Sequence, residues 1–271
     1  MTGAPKLTDR KALALHRARA ARAPEPFLHQ AVADALEERL GEVNKSFNAP
    51  LLIGHAPAPI RALFPDAPLI DDTPDLVITP ATQDLVIHSF GLHWSDDPVG
   101  QMVQSRLALQ PDGLFLGVMF GGATLNELRA SLAEAEAKLT GGLSPRVLPM
   151  ADLRDLGGLL QRAGLALPVA DSQSFTVRYP SLGKLARDLR GMGETNAIAD
   201  RHRITRRALF TEAEAVYQNS FSDNGYLLAT FEVIFLTGWA PAETQPKPLK
   251  PGSAQTRLAE ALGATETPLK R

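Results

Sequence analysis

Residues 84–120 read DLVIHSFGLHWSDDPVGQMVQSRLALQPDGLFLGVMF, and the succession of patterns within them decides the fold. Asp84-Leu85-Val86-Ile87-His88-Ser89-Phe90 is a continuous apolar run, which suits a parallel strand covered on both faces. From Pro98 to Gln110 the spacing turns helical, with Val99, Met102, Val103 and Leu107 on one side. Pro111-Asp112-Gly113 marks a turn, because proline presets φ and glycine permits left-handed geometry. Leu114 to Phe120 is a second buried strand, ended by Gly121 and Gly122. Strand, helix, turn and strand form a βαβ unit, which is right-handed almost without exception.

Upstream, Pro24 and Pro26 break a first helix. Leu28, Val32, Leu36 and Leu40 then make one apolar helical stripe, with Gly41 as its expected stop. Pro50 to Ile53 reads as a buried strand, and Leu69-Ile70 and Leu76 to Ile78 as two short ones set between proline turns. Downstream, helices are expected from Leu125 to Leu139, from Ala151 to Ala163, from Ser181 to Gly193 and from Arg201 to Tyr217. Ser174 to Tyr179 and Leu227 to Trp239 read as strands. The alternation predicts a doubly wound, mostly parallel α/β sheet. The expected organisation is N-terminal helices over 1–48, an α/β domain over 49–240 with a helical insertion at about 181–217, and an extended tail over 241–271. That tail carries one short helix near 254–262.

Composition narrows the function. In 271 residues the formal net charge is -2 and 44% are hydrophobic, so bulk attraction to nucleic acid is not expected. No apolar run approaches the roughly 20 residues needed to span a bilayer. Without cysteine there is no disulfide, thiolate metal site or cysteine nucleophile, and a cytoplasmic location fits. Arg10, Lys11, Arg17, Arg19 and Arg22 make the start basic, with Asp9 the only acid nearby. Three readings fit it: a transit peptide, a helix touching a partner or the inner face of an anionic membrane, or a solvated first helix.

In doubly wound sheets ligands bind beyond the carboxyl ends of the strands. That rule singles out Gly54-His55, Asp71-Asp72, Ser89 to Asp97 and Gly121-Gly122. His93 and Trp94 form either a ligand wall there or packing under the loop, and His88 reads as a core histidine. The six histidines show no paired spacing on one helix face, so no metal site is expected. Ser89 lacks the flanking residues of a nucleophile elbow. Arg201, His202, Arg203, Arg206 and Arg207 form the densest positive cluster. If the segment is helical, Arg203 and Arg207 share a face that either grips an acidic partner or is simply solvated.

His88-Ser89-Phe90-Gly91-Leu92-His93-Trp94, Gln110-Pro111-Asp112-Gly113 and Met119-Phe120-Gly121-Gly122 together carry a resemblance. So do Arg19-Ala20-Ala21-Arg22, Thr124-Leu125, Glu127-Leu128-Arg129, Asp188-Leu189-Arg190-Gly191-Met192-Gly193-Glu194 and Thr237-Gly238-Trp239. The chain resembles, over nearly its whole length, the class I methyltransferase-like complex I assembly factors of mitochondria and alphaproteobacteria. These are similar in turn to the malonyl-carrier-protein methyltransferases of biotin synthesis. The resemblance implies a Rossmann-like class I methyltransferase fold with its last strand antiparallel. It implies S-adenosylmethionine as cofactor, with methyl transfer or arginine hydroxylation on a complex I subunit as activity. It places Gly54, His55, Asp71, Asp72, Ser89, His93 and Trp94 at the cofactor, and Gly121, Gly122, Arg190, Arg203 and Arg207 toward the substrate or partner.

The departures from that pattern fall at the donor turn. Leu52 stands where the family's acidic residue belongs. Ala56 and Ala58 replace two glycines, and Pro57 and Pro59 remove backbone donors and fix φ. Gly54 is either the remnant of the turn or a glycine ending a strand, and Asp71-Asp72 either bind ribose or cap a turn. Only Thr-Pro-Asp separates Asp72 from Leu76, so the wall that normally covers the adenine is trimmed. A non-catalytic or weakly active assembly factor acting on a complex I subunit or assembly intermediate is therefore expected. The alternative is a methyltransferase or arginine hydroxylase that holds its cofactor through an atypical loop.

Overall fold

The computed structural model describes residues 6–201, 205–246 and 263. The chain separates into two units, Met1–Pro241 and Ala242–Arg271, and the sheet with the helices packed on it belongs to the first. Arg203, with His202 beside it, and the short helix expected near 254–262 lie outside the described residues.

Among the described residues seven strands make one mixed sheet, in which a single strand runs against the others. β1 (Pro50–Gly54) has β2 (Leu69–Ile70) on one side and β3 (Gln83–Ser89) on the other, and β4 (Leu109–Phe120) follows β3. The reversed strand is the last, β7 (Tyr226–Trp239). It lies antiparallel between β4 and β5 (Ala166–Tyr179), and β6 (Ser222–Asp223) pairs back on it. The order is β2-β1-β3-β4-β7-β5. This is a mostly parallel Rossmann-like sheet of the class I methyltransferase type, as the sequence predicts. The order turns back between β1 and β3, which places the ligand crevice beyond Gly54 and Ser89.

Both sheet faces are covered because inward residues alternate along each strand. Leu52, Leu85, Ile87, Leu114, Leu116 and Val118 face one core, and Leu51, Ile53, Val86, Phe115 and Met119 the other. On the first face lie α2 (Phe27–Glu42), α3 (Ala58–Leu63), α5 (Asn126–Thr140), α7 (Leu182–Met192) and α8 (Arg207–Ser220). The second face carries α4 (Pro98–Ala108) and α6 (Leu153–Arg162). Each large apolar side chain so withdrawn from water contributes roughly 2 kcal/mol. The N-terminal helix α1 (Arg10–Ala20) packs separately, its Ala12 and Leu13 against Trp94, Leu148, Ala197 and Ile198. Its start is capped by Asp9, whose side chain accepts from the Ala12 amide at 3.0 Å.

Several expectations need correction. Leu76 to Ile78 is not a strand. The Leu76 amide donates to Gln104 Oε1 at 2.7 Å, while Gln101 and Gln104 donate to the Thr73 and Pro74 carbonyls at 2.6 and 2.8 Å. Glutamines of α4 thus satisfy backbone groups that a sheet neighbour would otherwise meet. Pro111-Asp112-Gly113 does not precede its strand but bulges within it. Gln83 pairs with Leu109 and Leu85 with Leu114, so the extra residues are absorbed with Asp112 at φ 63°. The last strand before α7 is longer than expected and begins at Ala166. α2 runs past Gly41 to Glu42. α8 begins at Arg207, so Arg201 lies outside any helix, and Arg203, the other half of the expected helical face, falls outside the described residues.

Candidate functional site

At the switch point Gly54 has φ +90°, and a Cβ there would come within 2.7 Å of the Ser89 carbonyl. The next amide, of His55, donates to that same carbonyl at 2.9 Å. The first and third strands therefore meet through a glycine that no other residue replaces without strain. Asp72 follows β2 and is turned inward, only 6% exposed. Its Oδ2 lies so close over Gly91 that a Cβ on that glycine would sit 2.6 Å from it. Asp71 is exposed.

The partners of Asp72 come from α1. Arg10 Nη2 lies 2.9 Å from Asp72 Oδ1, and its guanidinium also donates to Oδ2 at 3.3 Å and to the Asp72 carbonyl. Arg17 Nη1 donates to Oδ1 at 3.2 Å, and its Nη2 donates to the Phe90 carbonyl at 2.7 Å. Burial alone would raise the Asp72 pKa. The Arg17 and Arg10 charges overcome it and hold the carboxyl below its ordinary value. Seven residues are two helical turns, so Arg10 and Arg17 share a face of α1. The helix is fastened in place by the Asp9–Arg201 ion pair at 3.0 Å, by the Thr8–Ile198 bridge and by Asp96 Oδ1, which accepts from the Leu7 amide at 2.8 Å.

Alongside this clasp is a cluster of rings. His29 of α2 lies edge-on to His55 and Phe90, at 5.8 and 5.3 Å between centroids, and His93 lies edge-on to Phe120 at 5.3 Å. Burial pushes the His29 pKa down to about 4 and lowers that of His55 as well. His88 is fully buried, with Nε2 3.1 Å from Gln101 Oε1, which bears out its reading as a core histidine. Trp94 is no exposed wall. It is 3% exposed, and its indole N–H donates to Glu194 Oε2 at 2.8 Å. That same oxygen lies 3.2 Å from His93 Nε2. Burial disfavours ionised Glu194, but the charge and hydrogen bond of His93 outweigh it and bring the pKa to about 2. Glu194 Oε1 is buried without a hydrogen-bond partner.

A cavity of about 1010 Å³ lies among α1, α5 and α7. Phe120, Leu128, Leu148, Leu185 and Phe231 contribute to its apolar wall, and Trp94 and Glu194 also line it. Lys11, Arg19, Arg187 and Arg190 line it too, are exposed, and have no carboxylate within ion-pair distance among the described residues. Lys11, Leu15 and Arg19 are spaced by four residues, so a second face of α1 forms one side of the cavity.

The expected site residues divide accordingly. Gly54, His55, Asp72 and Ser89 meet at the crevice, while Trp94 and Arg190 line the cavity. Gly121 lines no part of it. A Cβ at Gly121 would meet Glu232 Oε2 at 2.5 Å and Ile234 Cδ1 at 2.6 Å, which marks a packing glycine. Gly122 and Arg207 are likewise outside the cavity wall. In the sequence Glu194 is legible only as the end of a shared motif, His29 only as one of six histidines, and Arg10 and Arg17 only as part of a basic start. The seven-residue spacing of Arg10 and Arg17 is the signal that would have paired those two. Among the described residues no group of three His, Asp or Glu is placed to hold a metal ion, and no helix is long and apolar enough to cross a membrane.

S-adenosylmethionine, implied by the fold, needs a carboxylate for its ribose hydroxyls and glycines for close backbone approach. Here Asp72 is taken by two guanidinium groups, Asp71 points away as an exposed residue, and Pro57 and Pro59 follow the one remaining glycine. The residues as arranged do not fit the donor.

No family model matches the chain. The mitochondrial arginine-hydroxylase NDUFAF5 of Rattus norvegicus is 32% identical over 279 residues, covering 92% of this chain and 81% of the relative. The Homo sapiens protein of that name is 38% identical over 198 residues, covering 73% and 57%. A malonyl-[acyl-carrier protein] O-methyltransferase of Xylella fastidiosa is 33% identical over 178 residues, covering 65% and 58%. The chain spans 42%, 56% and 57% of the Dictyostelium discoideum, Danio rerio and Homo sapiens relatives, about half of their length. Among solved structures, the YcgJ protein of Bacillus subtilis aligns with TM-score 0.47 and 13% identity, covering 78% of this chain and 99% of that one.

Proposed function

Because the chain belongs to the family of the mitochondrial arginine-hydroxylases NDUFAF5, we propose that it is an assembly factor for respiratory complex I. In this reading it acts on a protein partner and does not depend on a bound methyl donor. One observation carries the reading: Arg10 and Arg17 of the chain's own first helix occupy the carboxylate that a nucleoside would need. A ribose diol entering there would have to displace two charge-assisted contacts to a buried anion, which are stronger than neutral hydrogen bonds. The cavity beside α1 is large and apolar enough to receive part of a polypeptide. In the named relatives the group acted on is an arginine, and an arginine-bearing segment is the natural target here.

Calorimetric titration with S-adenosylmethionine and S-adenosylhomocysteine is expected to give a dissociation constant at or above about 1 mM, roughly -4 kcal/mol or weaker. Micromolar binding would overturn the donor-independent reading. In a strain lacking its own member of the family, the chain is expected to restore assembled complex I on native gels. A second reading, an active methyltransferase or arginine hydroxylase holding its cofactor through an atypical loop, is favoured by the retained left-handed turn at Gly54. The same titration decides between the two.

A further inference from the structure

The cavity carries opposite charges in two places, and its chemistry specifies more than an apolar contact. Glu194 lines it with a side chain 6% exposed, and one carboxylate oxygen is already committed to His93 and Trp94. The other, Oε1, has no donor. A buried acceptor without a donor is costly, and a ligand N–H is one way to satisfy it. Lys11, Arg19, Arg187 and Arg190 line the same cavity as exposed cations without ion-pair partners among the described residues. By contrast Arg146 and Arg201, which also line it, are engaged by Glu136 and Asp9.

We propose that this cavity binds a partner polypeptide segment in which an arginine, flanked by carboxylates, reaches Glu194. The arginine guanidinium meets Glu194 Oε1, and the flanking carboxylates meet Lys11, Arg19, Arg187 and Arg190. A planar guanidinium supplies several N–H donors in a fixed fork, which suits a carboxylate approached from one side. The four cations disfavour a uniformly basic segment and select one with acids on either side of its arginine. The apolar wall of Phe120, Leu128, Leu148, Leu185 and Phe231 accepts aliphatic residues between the charges. Glu194 is thus a specificity-determining residue. This inference rests on the reading that the chain acts on a protein partner.

The test uses a fluorescein-labelled synthetic peptide with one central arginine among leucines and glutamates at both ends, followed by anisotropy on the full chain. Replacing the arginine by citrulline, which keeps its shape and removes its charge, is expected to weaken binding about tenfold or more. Replacing the glutamates by glutamine is expected to weaken it and flatten its salt dependence. Glu194→Gln should erase the preference for arginine over citrulline, and the Arg187→Glu, Arg190→Glu pair should favour a lysine-ended peptide. Equal affinity of the wild-type chain for arginine and citrulline overturns the proposal, and this comparison needs no variant to fold. So does a Glu194→Gln protein that keeps the preference, or a cavity that binds a fatty acid and ignores the peptides. If complex I is restored but no peptide binds, this inference fails and the assembly reading stands. If the peptides bind as described but complex I is not restored, the assembly reading fails instead.

Discussion

Asp72→Ala is expected to destabilise the protein by about 3 kcal/mol, because it leaves the Arg10 and Arg17 guanidinium groups in a partly buried site with their counter-charge gone. The effect is read from the urea midpoint at unchanged slope. α1 is also expected to loosen, seen as faster trypsin cleavage at Arg17, Arg19 and Arg22. Removing all three groups, with Arg10→Ala and Arg17→Ala added, should cost less than the single change, since no uncompensated charge then remains. The folded pKa of Asp72 lies below its ordinary value of 3.8. Its stabilising contribution is therefore present above pH 3.8 and lost as the pH falls below it. The gap between variant and wild type should close in that acidic range. A cost under about 1 kcal/mol, in the range of an exposed ion pair, would show that the clasp does not hold α1.

The second large effect is acid lability. His29 has a folded pKa of about 4 against an ordinary 6.5, because its ring is buried between His55 and Phe90. Between these values the unfolded chain takes up a proton that the folded chain refuses. Stability is therefore full above pH 6.5 and falls progressively toward pH 4, by up to about 3 kcal/mol from this residue. Burial lowers the pKa values of His16, His55 and His88 in the same direction, so their losses add. His29→Leu removes a buried nitrogen, Nε2, that has no partner and should flatten the profile. Thermal melts from pH 8 to 4.5 would show this as a variant no less stable than wild type at pH 5. An identical pH slope in both proteins would mean that His29 is not the group that titrates.

Much of the sheet was legible because its signals are local. Leu85-Val86-Ile87 and Leu114 to Phe120 are unbroken apolar runs, and Pro98 to Ala108 is helical by period and capped by Asp97, so β3, α4 and β4 follow from neighbours in sequence. Leu76 to Ile78 has the composition of a strand, yet the Leu76 amide bonds to Gln104 and the carbonyls of Thr73 and Pro74 just before it accept from Gln101, some thirty residues on. Composition carries no trace of that competition. The crevice was half legible. Gly54 and Asp72 follow from the topology rule, whereas the two arginines opposite Asp72 stand 62 and 55 residues before it. A basic amphipathic start looks the same whether it meets water, lipid or a buried aspartate. For Trp94 the sequence left a ligand wall and packing under the loop open, and the choice between them depends on a partner, Glu194, that lies 100 residues away.

The glutamine tethers on residues 73–76 also bear on ancestry. β2 is only two residues long, and among the described residues no strand flanks it on its outer side. If forebears of this chain held a nucleotide, the adenine wall has gone and α4 has taken over its hydrogen-bonding duties. Rebuilding the wall would require an inserted strand and helix, release of the Leu76 amide from Gln104, and withdrawal of Arg10 and Arg17 from Asp72. Taken singly, each of these steps breaks satisfied contacts before any cofactor could compensate. On that history, point mutation would offer no gradual route back, and change would be confined to refining what the folded surface recognises.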